Sequence, residues 1–498
     1  MKPKKFWILV SLLSIGIISV GIFWLLSKTC TTADTINTSD TSVNYSSTVE
    51  AGQVGSTILG SATNNSISVN TLAEKGMEVY INYGIKTGIY SNKTDTITSQ
   101  SGEPIVTNIN SLNANTEYFY QVNYKKSVDS VYTSKAEASF FTQRSTGSKF
   151  SFGVQGDSHP ERAGKMFNAN LYTITMQNVA KLAPDSYFAM GDDFSIEGLI
   201  DSKQQTQSAV DNIYLNQRKY LDIAGAHSSI YLINGNHEQA AKYLLDGTAT
   251  SFPVLAAKAR NNFYPLPSPT SFFGGDNQQV DNIGYIKDYY SFEWGDALFV
   301  TIDPYWHSDT AVDNTAGSDS TAKGQRDLWN NTLGDVQYQW FKQTLENSRA
   351  KYKFVFSHHV LGTGRGGIEE AKLYEWGGYN EKGIWEFSTK RPGWDLPIHQ
   401  LMVKNGVTIF FQGHDHLFAK QTLDDVIYQE VPTPADNTYT AFNKDAYTSG
   451  VTLPNSGFLN VTVADSQVKV DYIKSFLPSD ETGNNINGSV GYSYTVTK

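Results

Sequence analysis

The chain has 498 residues, of which 40% are hydrophobic, and its 39 Lys plus Arg against 49 Asp plus Glu leave a net charge of −10. That length suits two or three cores rather than one, and that apolar fraction excludes wholesale disorder. The acidic balance excludes nucleic-acid scaffold binding, which needs basic side chains against phosphates, and the single cysteine, Cys30, excludes an intrachain disulfide.

At the N-terminus Lys2, Lys4 and Lys5 precede an apolar run from Phe6 to Leu26. The run is just long enough to cross a bilayer as a helix, with the lysines on the cytoplasmic side. Residues 1–30 therefore read as a signal peptide or a membrane anchor, and a cleavage position after Ala33 keeps both open. Either way the body of the protein is expected outside the cytoplasm, secreted or anchored to the cell membrane by the N-terminal helix. Residues 31–49 are Ser/Thr-rich and read as a linker.

From 50 to 144 short alternating segments ("SISVNT", "MEVYINYG", "YFYQVNY", "ASFFTQ") are separated by turn residues. That spacing predicts a small antiparallel β-sandwich. The stretch "LNANTEYFYQV" has the form of a tyrosine corner, as in fibronectin type III or Ig-like domains. No His or Cys occurs there, so the segment reads as a spacer or docking module.

From 149 to 498 the pattern changes to apolar strands alternating with helical stretches, which predicts an α/β layered domain. The strands are "KFSFGVQ", "SYFAM", "SIYLIN", "ALFVTID", "KFVFS" and "VTIFFQ". In "DVQYQWFKQTLENSRA" Val336, Trp340, Phe341 and Leu345 are expected on one buried helical face. "GFLNVTV" and "VKVDYI" flank Asp465 and Ser466 and predict a hairpin.

Five of these strands end in residues of one chemical kind: Asp157 and His159; Asp192 and Asp193; Asn236, His237 and Glu238; His358 and His359; His414 and His416. Six of the nine histidines thus lie just beyond apolar strands. Strand ends line the ligand crevice of layered α/β folds, and Gly156, Gly191, Gly235 and Gly413 are expected there to let the chain turn. A lone Asp or Asn after a strand is ordinarily a turn former, and a lone histidine ordinarily structural. Five such segments together point to metal. Imidazole with carboxylate suits zinc, iron or manganese rather than calcium, and the donors are too many for one tetrahedral ion.

The ordered set D-x-H, GD, GNHE, H and GHDH resembles the calcineurin-like metallophosphoesterase superfamily across roughly 149–475, and a sandwich ahead of it is similar to the purple acid phosphatase layout. The resemblance implies a four-layer metallophosphoesterase-type β-sandwich flanked by helices and two metal ions per chain. One ion would be held by Asp157, His159, Asp192 and His416. The other would be held by Asp192, Asn236, His358 and His414, with Asp192 shared. Purple acid phosphatases carry a tyrosine ligand where this chain has Ser195 and a glycine where it has His159, so no tyrosinate–iron colour is expected. The aspartate that orients the catalytic histidine of the protein phosphatases also has no counterpart at Ser195.

The implied activity is hydrolysis of phosphate mono- or diesters of small phosphorylated substrates by attack of a metal-bound hydroxide. His237, beside Asn236, is then the proton donor to the leaving group; the group that orients it is left open by the sequence, with Glu238 and Asp193 as candidates. His359 and Arg365, the latter in the glycine-rich "LGTGRGGIEE", are candidate substrate contacts, although a mobile surface loop is the plainer reading of that stretch. The aromatic segments 303–307 and 374–387 either wall the pocket or simply pack. His227, His307 and His399 read as structural or exposed. The competing function is a surface binding or adhesion protein whose metal site is structural or vestigial.

Overall fold

The computed structural model describes residues 52–100, 103–313, 327–361 and 364–498. The segments read from sequence as a hydrophobic helix (1–30) and a linker (31–49) lie outside these residues. Among the described residues no helix is long and apolar enough to cross a membrane.

Two antiparallel sheets occupy residues 54–141. One pairs Val54–Gly60, Ser66–Ala73 and Ile105–Asn110, and the other is built on Met77–Gly84 against Glu117–Lys126. Ile105–Asn110 alternates buried and exposed residues at every position, as a strand with one solvated face must. The Tyr118 hydroxyl accepts from the Asn113 backbone N–H at 3.0 Å, the corner contact expected from "LNANTEY".

Two larger mixed sheets follow. The first has the order Ser229–Leu232, Ser186–Ala189, Phe150–Gln155, Gly457–Ala464, Gln467–Lys474, Val490–Thr497; its first three strands are parallel and the rest antiparallel. The second runs parallel through Ala297–Thr301, Tyr352–Phe356, Ile409–Gln412 and Val426–Glu430, with antiparallel strands at its edges. Strands buried on both faces carry continuous apolar runs instead of alternation, which is why "KFVF" and "TIFF" are legible as strands. Phenylalanines fill the space between the sheets: Phe152 meets Phe354 at 5.1 Å between ring centroids, Phe188 meets Phe356 at 4.5 Å and Phe356 meets Phe411 at 5.0 Å. Each such ring, withdrawn from water, contributes about 1.5–3 kcal/mol.

Helices cover the outer faces. Ala169–Leu182, Gln207–Gly225 and Phe252–Phe263 pack on the first sheet, and Gly334–Asn347 and Ile398–Lys404 on the second. Asn168 and Thr206 cap the first two by accepting backbone N–H bonds. The buried face of Gly334–Asn347 differs from expectation: Gln337, Tyr338, Phe341 and Leu345 point inward while Val336 is 56% exposed. Helical periodicity marks a face but not its centre, and Gln337 takes the inward position because it accepts from Asp303 N and donates to Asp303 O. The hairpin about Asp465 and Ser466 forms as expected, with Ala464 opposite Gln467.

The described residues form one compact unit. Helix Gln207–Gly225 joins the N-terminal sheets to the rest. Arg218 on it is fully buried and donates to Ser56 Oγ (2.6 Å), Ser56 O (3.1 Å), Asn70 Oδ1 (2.9 Å), Asn70 O (3.0 Å) and Phe263 O. Asp222 accepts from Thr57 N–H at 2.5 Å, and Ile58 shares an apolar cluster with Leu221 and Ala224.

Candidate metal centre

The parallel strands of both sheets deliver their C-terminal ends to one place. Phe150–Gln155, Ser186–Ala189 and Ser229–Leu232 lead to Asp157, His159, Asp192 and Asn236; Tyr352–Phe356 and Ile409–Gln412 lead to His358, His414 and His416. All seven side chains are buried, between 0 and 4% exposed.

Their donor atoms converge in two overlapping groups. In the first, His416 Nε2 lies 3.0 Å from Asp157 Oδ2 and 3.1 Å from His159 Nε2, and His159 Nε2 lies 3.6 Å from both Asp157 Oδ2 and Asp192 Oδ2. In the second, His358 Nε2 lies 3.2 Å from Asp192 Oδ2 and 3.1 Å from Asn236 Oδ1, with the His414 ring 5.2 Å from the His358 ring. Two ligands on one ion at metal–ligand distances of 2.0–2.2 Å stand about 2.8–3.6 Å apart. Asp192 Oδ2 belongs to both groups.

Whether these residues suit a cation is decided by their tautomers. His159 Nδ1 lies 2.8 Å from Glu161 Oε1, and His358 Nδ1 lies 2.8 Å from Met190 O. Those oxygens only accept, so each Nδ1 carries the hydrogen and each Nε2 turns a lone pair inward, the outer arrangement that orients metal-binding imidazoles. The acceptor set then points at itself: two imidazole nitrogens 3.1 Å apart, with carboxylate oxygens around them. The donor set fits a pair of cations.

The backbone is bent to make this arrangement. His159, Asp192, His414 and His416 all have positive φ (48°, 58°, 78° and 59°), a conformation that costs non-glycine residues energy and clusters at functional sites. The glycines act differently from the sequence expectation. Only Gly191 has positive φ (102°). At Gly413 a Cβ would lie 2.6 Å from Asp157 Oδ1, and at Gly235 it would collide with Asp192 Oδ1. Close approach to the carboxylates, rather than a turn, is what requires glycine at those two positions.

Buried acceptors secure the loops. Asp157 Oδ1 takes the His414 N–H and Asp192 Oδ1 the His237 N–H, each at 2.8 Å. Glu238 accepts from the backbone N–H groups of Asp192, Asp193, Phe194 and Gly235, at 2.7–3.0 Å. It is committed to the backbone and does not orient His237, contrary to expectation. Asp193 does not either: its Oδ1 accepts from Gln155 Nε2 at 2.9 Å and Ser158 Oγ at 2.5 Å. The carboxylate on His237 is Glu197, whose Oε2 lies 2.8 Å from Nδ1. Burial opposes charge on the His237 ring, but Asp192 and this bond outweigh it and raise its pKa. Arg162 Nη2, 3.1 Å from Nε2, occupies the other side.

Sequence reasoning missed Glu197, Arg162, Glu161 and Asp313, whose Oδ2 lies 3.1 Å from His414 Nε2. Glu161 and Arg162 lie two and three residues after His159, and Glu197 five after Asp192; charged residues that close were the available signal for these three.

Arg365 spends Nη1 on His414 O (2.6 Å) and Asp415 Oδ1 (3.1 Å), and the Gly366 N–H binds Asp415 Oδ2 at 2.7 Å. The glycine-rich loop is thus tied to the loop that carries His414 and His416. His359 is 2% exposed, with Nδ1 3.0 Å from the Tyr305 hydroxyl and its ring stacked on His414 at 4.8 Å. Burial, then the adjoining His414 and His358, push it well below the ordinary range. Tyr305 therefore borders the site, whereas Trp376 and Phe387 of 374–387 pack in the outer helical core. His399 is buried between Tyr428 and Asp424. A further group, Asp276, Asp288 and His307, is an ion pair (His307 Nε2 to Asp288 Oδ2, 2.9 Å) among carboxylates that accept from the Gln278 and Tyr289 N–H groups.

Residues 150–418 match the family model for calcineurin-like phosphoesterases. The chain belongs to that family. The calcineurin-like phosphoesterases are metal-dependent hydrolases of phosphoric esters, and the matched span holds every donor named above. No curated protein sequence matches the chain. Among solved structures, a purple acid phosphatase from yellow lupin (Lupinus luteus) seeds is similar at 15% identity, with 90% of this chain and 75% of that one covered and a TM-score of 0.57. A structure of PhoD is similar at 14% identity, with 89% and 90% covered and a TM-score of 0.60. These two likenesses concern the fold: this phosphoesterase shares its layered architecture with both.

Proposed function

We propose that this phosphoesterase binds two metal ions, iron, manganese or zinc, and hydrolyses phosphate mono- or diesters of small molecules outside the cytoplasm. The observation that carries the reading is the position of Asp192 Oδ2, 3.6 Å from His159 Nε2 and 3.2 Å from His358 Nε2, between two groups of buried donors. Asp157, His159, Asp192 and His416 would hold one ion and Asp192, Asn236, His358 and His414 the other. Bound there, the ions supply an acidified water and positive charge opposite the phosphoryl oxygens.

The chain's own residues do the rest. His237, next to Asn236 and with Nε2 3.8 Å from Asp192 Oδ2, gives its proton to the departing alkoxide. Arg365 steadies the His414–His416 loop, and its remaining nitrogens are available to a phosphate. The apolar run from Phe6 to Leu26 behind three lysines supports the extracytoplasmic location. The sandwich at 50–144, of fibronectin type III character, serves as a brace for the catalytic domain at 149–498. A binding protein with a vestigial site is the weaker reading, because a donor stands at every matched position of the motifs and His237 stands beside them.

Hydrolysis of p-nitrophenyl phosphate and bis-p-nitrophenyl phosphate with added manganese, zinc or iron tests the proposal, and the better ester separates monoesterase from diesterase. Silence on both with stoichiometric metal bound would favour the binding reading. Stripping the metals with a chelator should abolish turnover and lower the melting temperature. A site filled at 100 times its Kd stabilises the fold by about 2.7 kcal/mol, and that support disappears on removal. His237→Ala should retain both metals and lose roughly 10²–10⁴-fold in kcat on esters with basic leaving groups. Unchanged turnover on such esters would count against its role.

A further inference from the structure

A cleft of about 410 Å³ opens beside the helical layer that covers the second large sheet, and none of its lining residues is a candidate metal donor. That volume falls in the range of about 300–1,000 Å³ typical of small-molecule sites. One wall is the outward face of helix Gly334–Asn347, where Val336, Gln339, Trp340 and Gln343 recur at helical spacing. The other is the short strand Gly274–Gly275, which pairs with Tyr290–Trp294, and Asn277 just beyond it. Two glycines bring no side chain to fill the gap, and a Cβ at Gly274 would lie 3.4 Å from Trp340 Nε1. Val336 and Trp340, which helical periodicity assigns to the core, face this cleft instead.

The lining is amphipathic. The Trp340 indole is half-buried and backed by the buried Tyr289 ring at 4.7 Å between centroids. Asn277, Gln339 and Gln343 each bring a side-chain amide, which offers donor and acceptor together. The one charged lining residue is Asp335, whose Oδ1 accepts from Trp394 Nε1 at 2.7 Å. No Lys or Arg lines the cleft, so it is not built for a phosphate or another anion, and amides and a carboxylate are costly walls for an acyl chain. A neutral sugar ring meets both halves of the lining. Its C–H face lies against an indole, and its neighbouring hydroxyls pair with amides and a carboxylate.

Aromatic contacts continue past the cleft wall. Trp394 lies 6.5 Å from Phe387, and Phe387 lies 5.9 Å from Trp385. The Trp385 ring lies across Gly378, where a Cβ would come within 2.4 Å of it, yet the residue is 44% exposed. Tyr379 stands edge-on to it at 5.1 Å and is exposed as well. An exposed ring pair of this kind marks a contact surface.

We propose that the cleft binds a neutral saccharide chain, with one ring seated on Trp340 among the three amides and a further ring on Trp385. This site is separate from the phosphoesterase centre and does not depend on its activity.

Saturation-transfer NMR and calorimetry with N-acetylglucosamine, glucose, chitotetraose and cellotetraose test the proposal. At least one tetramer should bind, take up saturation at its ring C–H protons, and bind more tightly than its monomer. Gln343→Ala, an exposed position, should keep the wild-type melting temperature and weaken binding by about 2–10-fold, the worth of one hydrogen bond. Trp340→Ala should weaken it by about tenfold or more, as truncation of a central aromatic anchor does. Since Trp340 also packs on Tyr289, Gln343→Ala decides the matter should that variant fail to fold. Trp385→Ala should weaken the tetramer and leave the monomer as it was. Added zinc should not alter the affinity. Absence of saturation in both tetramers up to their solubility limit would overturn the proposal. So would binding that requires zinc, binding indifferent to Gln343→Ala and Trp385→Ala, or tighter binding of choline or inorganic phosphate than of any sugar.

Discussion

Asp192→Asn should leave the protein folded, sharply reduce binding at both metal groups and cut turnover by about 10³-fold or more, beyond the 10–100-fold typical of residues outside the coordination shell. Asparagine tolerates the left-handed backbone at this position, where φ is 58°, and it keeps an oxygen for the His237 N–H. What it lacks is the negative charge that Oδ2 places between His159 and His358. A buried carboxylate facing three imidazoles has no substitute among neutral groups, because a neutral amide brings no negative charge to offset bound cations. Elemental analysis of metal content alongside p-nitrophenyl phosphate turnover checks the result. Retention of two equivalents of metal with near-normal turnover would show that the donors do not share this carboxylate.

Arg218→Met should lower stability by about 3–5 kcal/mol, since several buried acceptors lose hydrogen bonds to a charged donor, each worth about 1–3 kcal/mol. Among the described residues no carboxylate forms an ion pair with this guanidinium, and its contacts are with neutral acceptors on three segments: Ser56, Asn70 and Phe263. Burial draws its pKa down to about 10, so it still carries its charge at neutral pH. Methionine fills much of the same volume but leaves the carbonyl oxygens of Ser56, Asn70 and Phe263 without donors in a dry interior. The adjacent Gln217 reaches the other way, donating to Ser158 Oγ at 2.7 Å and to Asp193 O at 2.5 Å. One turn of helix thus links the N-terminal sheets to the loops of the metal groups. Thermal and denaturant unfolding of the variant measures the loss. A shift of less than about 1 kcal/mol would mean that the junction tolerates water.

Much of this was legible in the residue order because the signals are local. Apolar runs buried on both faces marked the six central strands, and the residues just past five of them are the candidate metal donors. Where the sequence reading failed, the deciding contacts lay across the fold or close by in an unremarked role. The inward face of Gly334–Asn347 turned on Gln337 bonding to Asp303. Gly235 and Gly413 were assigned to turns, whereas each makes room for a carboxylate from a different strand. Glu238 and Asp193 were the nearest acids to His237 in the relevant motifs, yet both were already committed, one to backbone N–H groups and the other to Gln155 and Ser158.

The amino-acid order by itself determined the element types, the identity of the seven candidate donors and the class of chemistry, since periodicity and donor type are properties of short stretches. The tertiary structure alone decided which donor atoms face one another, which carboxylate holds His237 and how the N-terminal sheets are fastened. Those outcomes depend on the placing of groups tens or hundreds of residues apart, such as Glu197 against His237 and Arg218 against Ser56. Hydrogen-bond geometry is sensitive to tenths of an ångström, and only the packed sheets and helices set distances that finely.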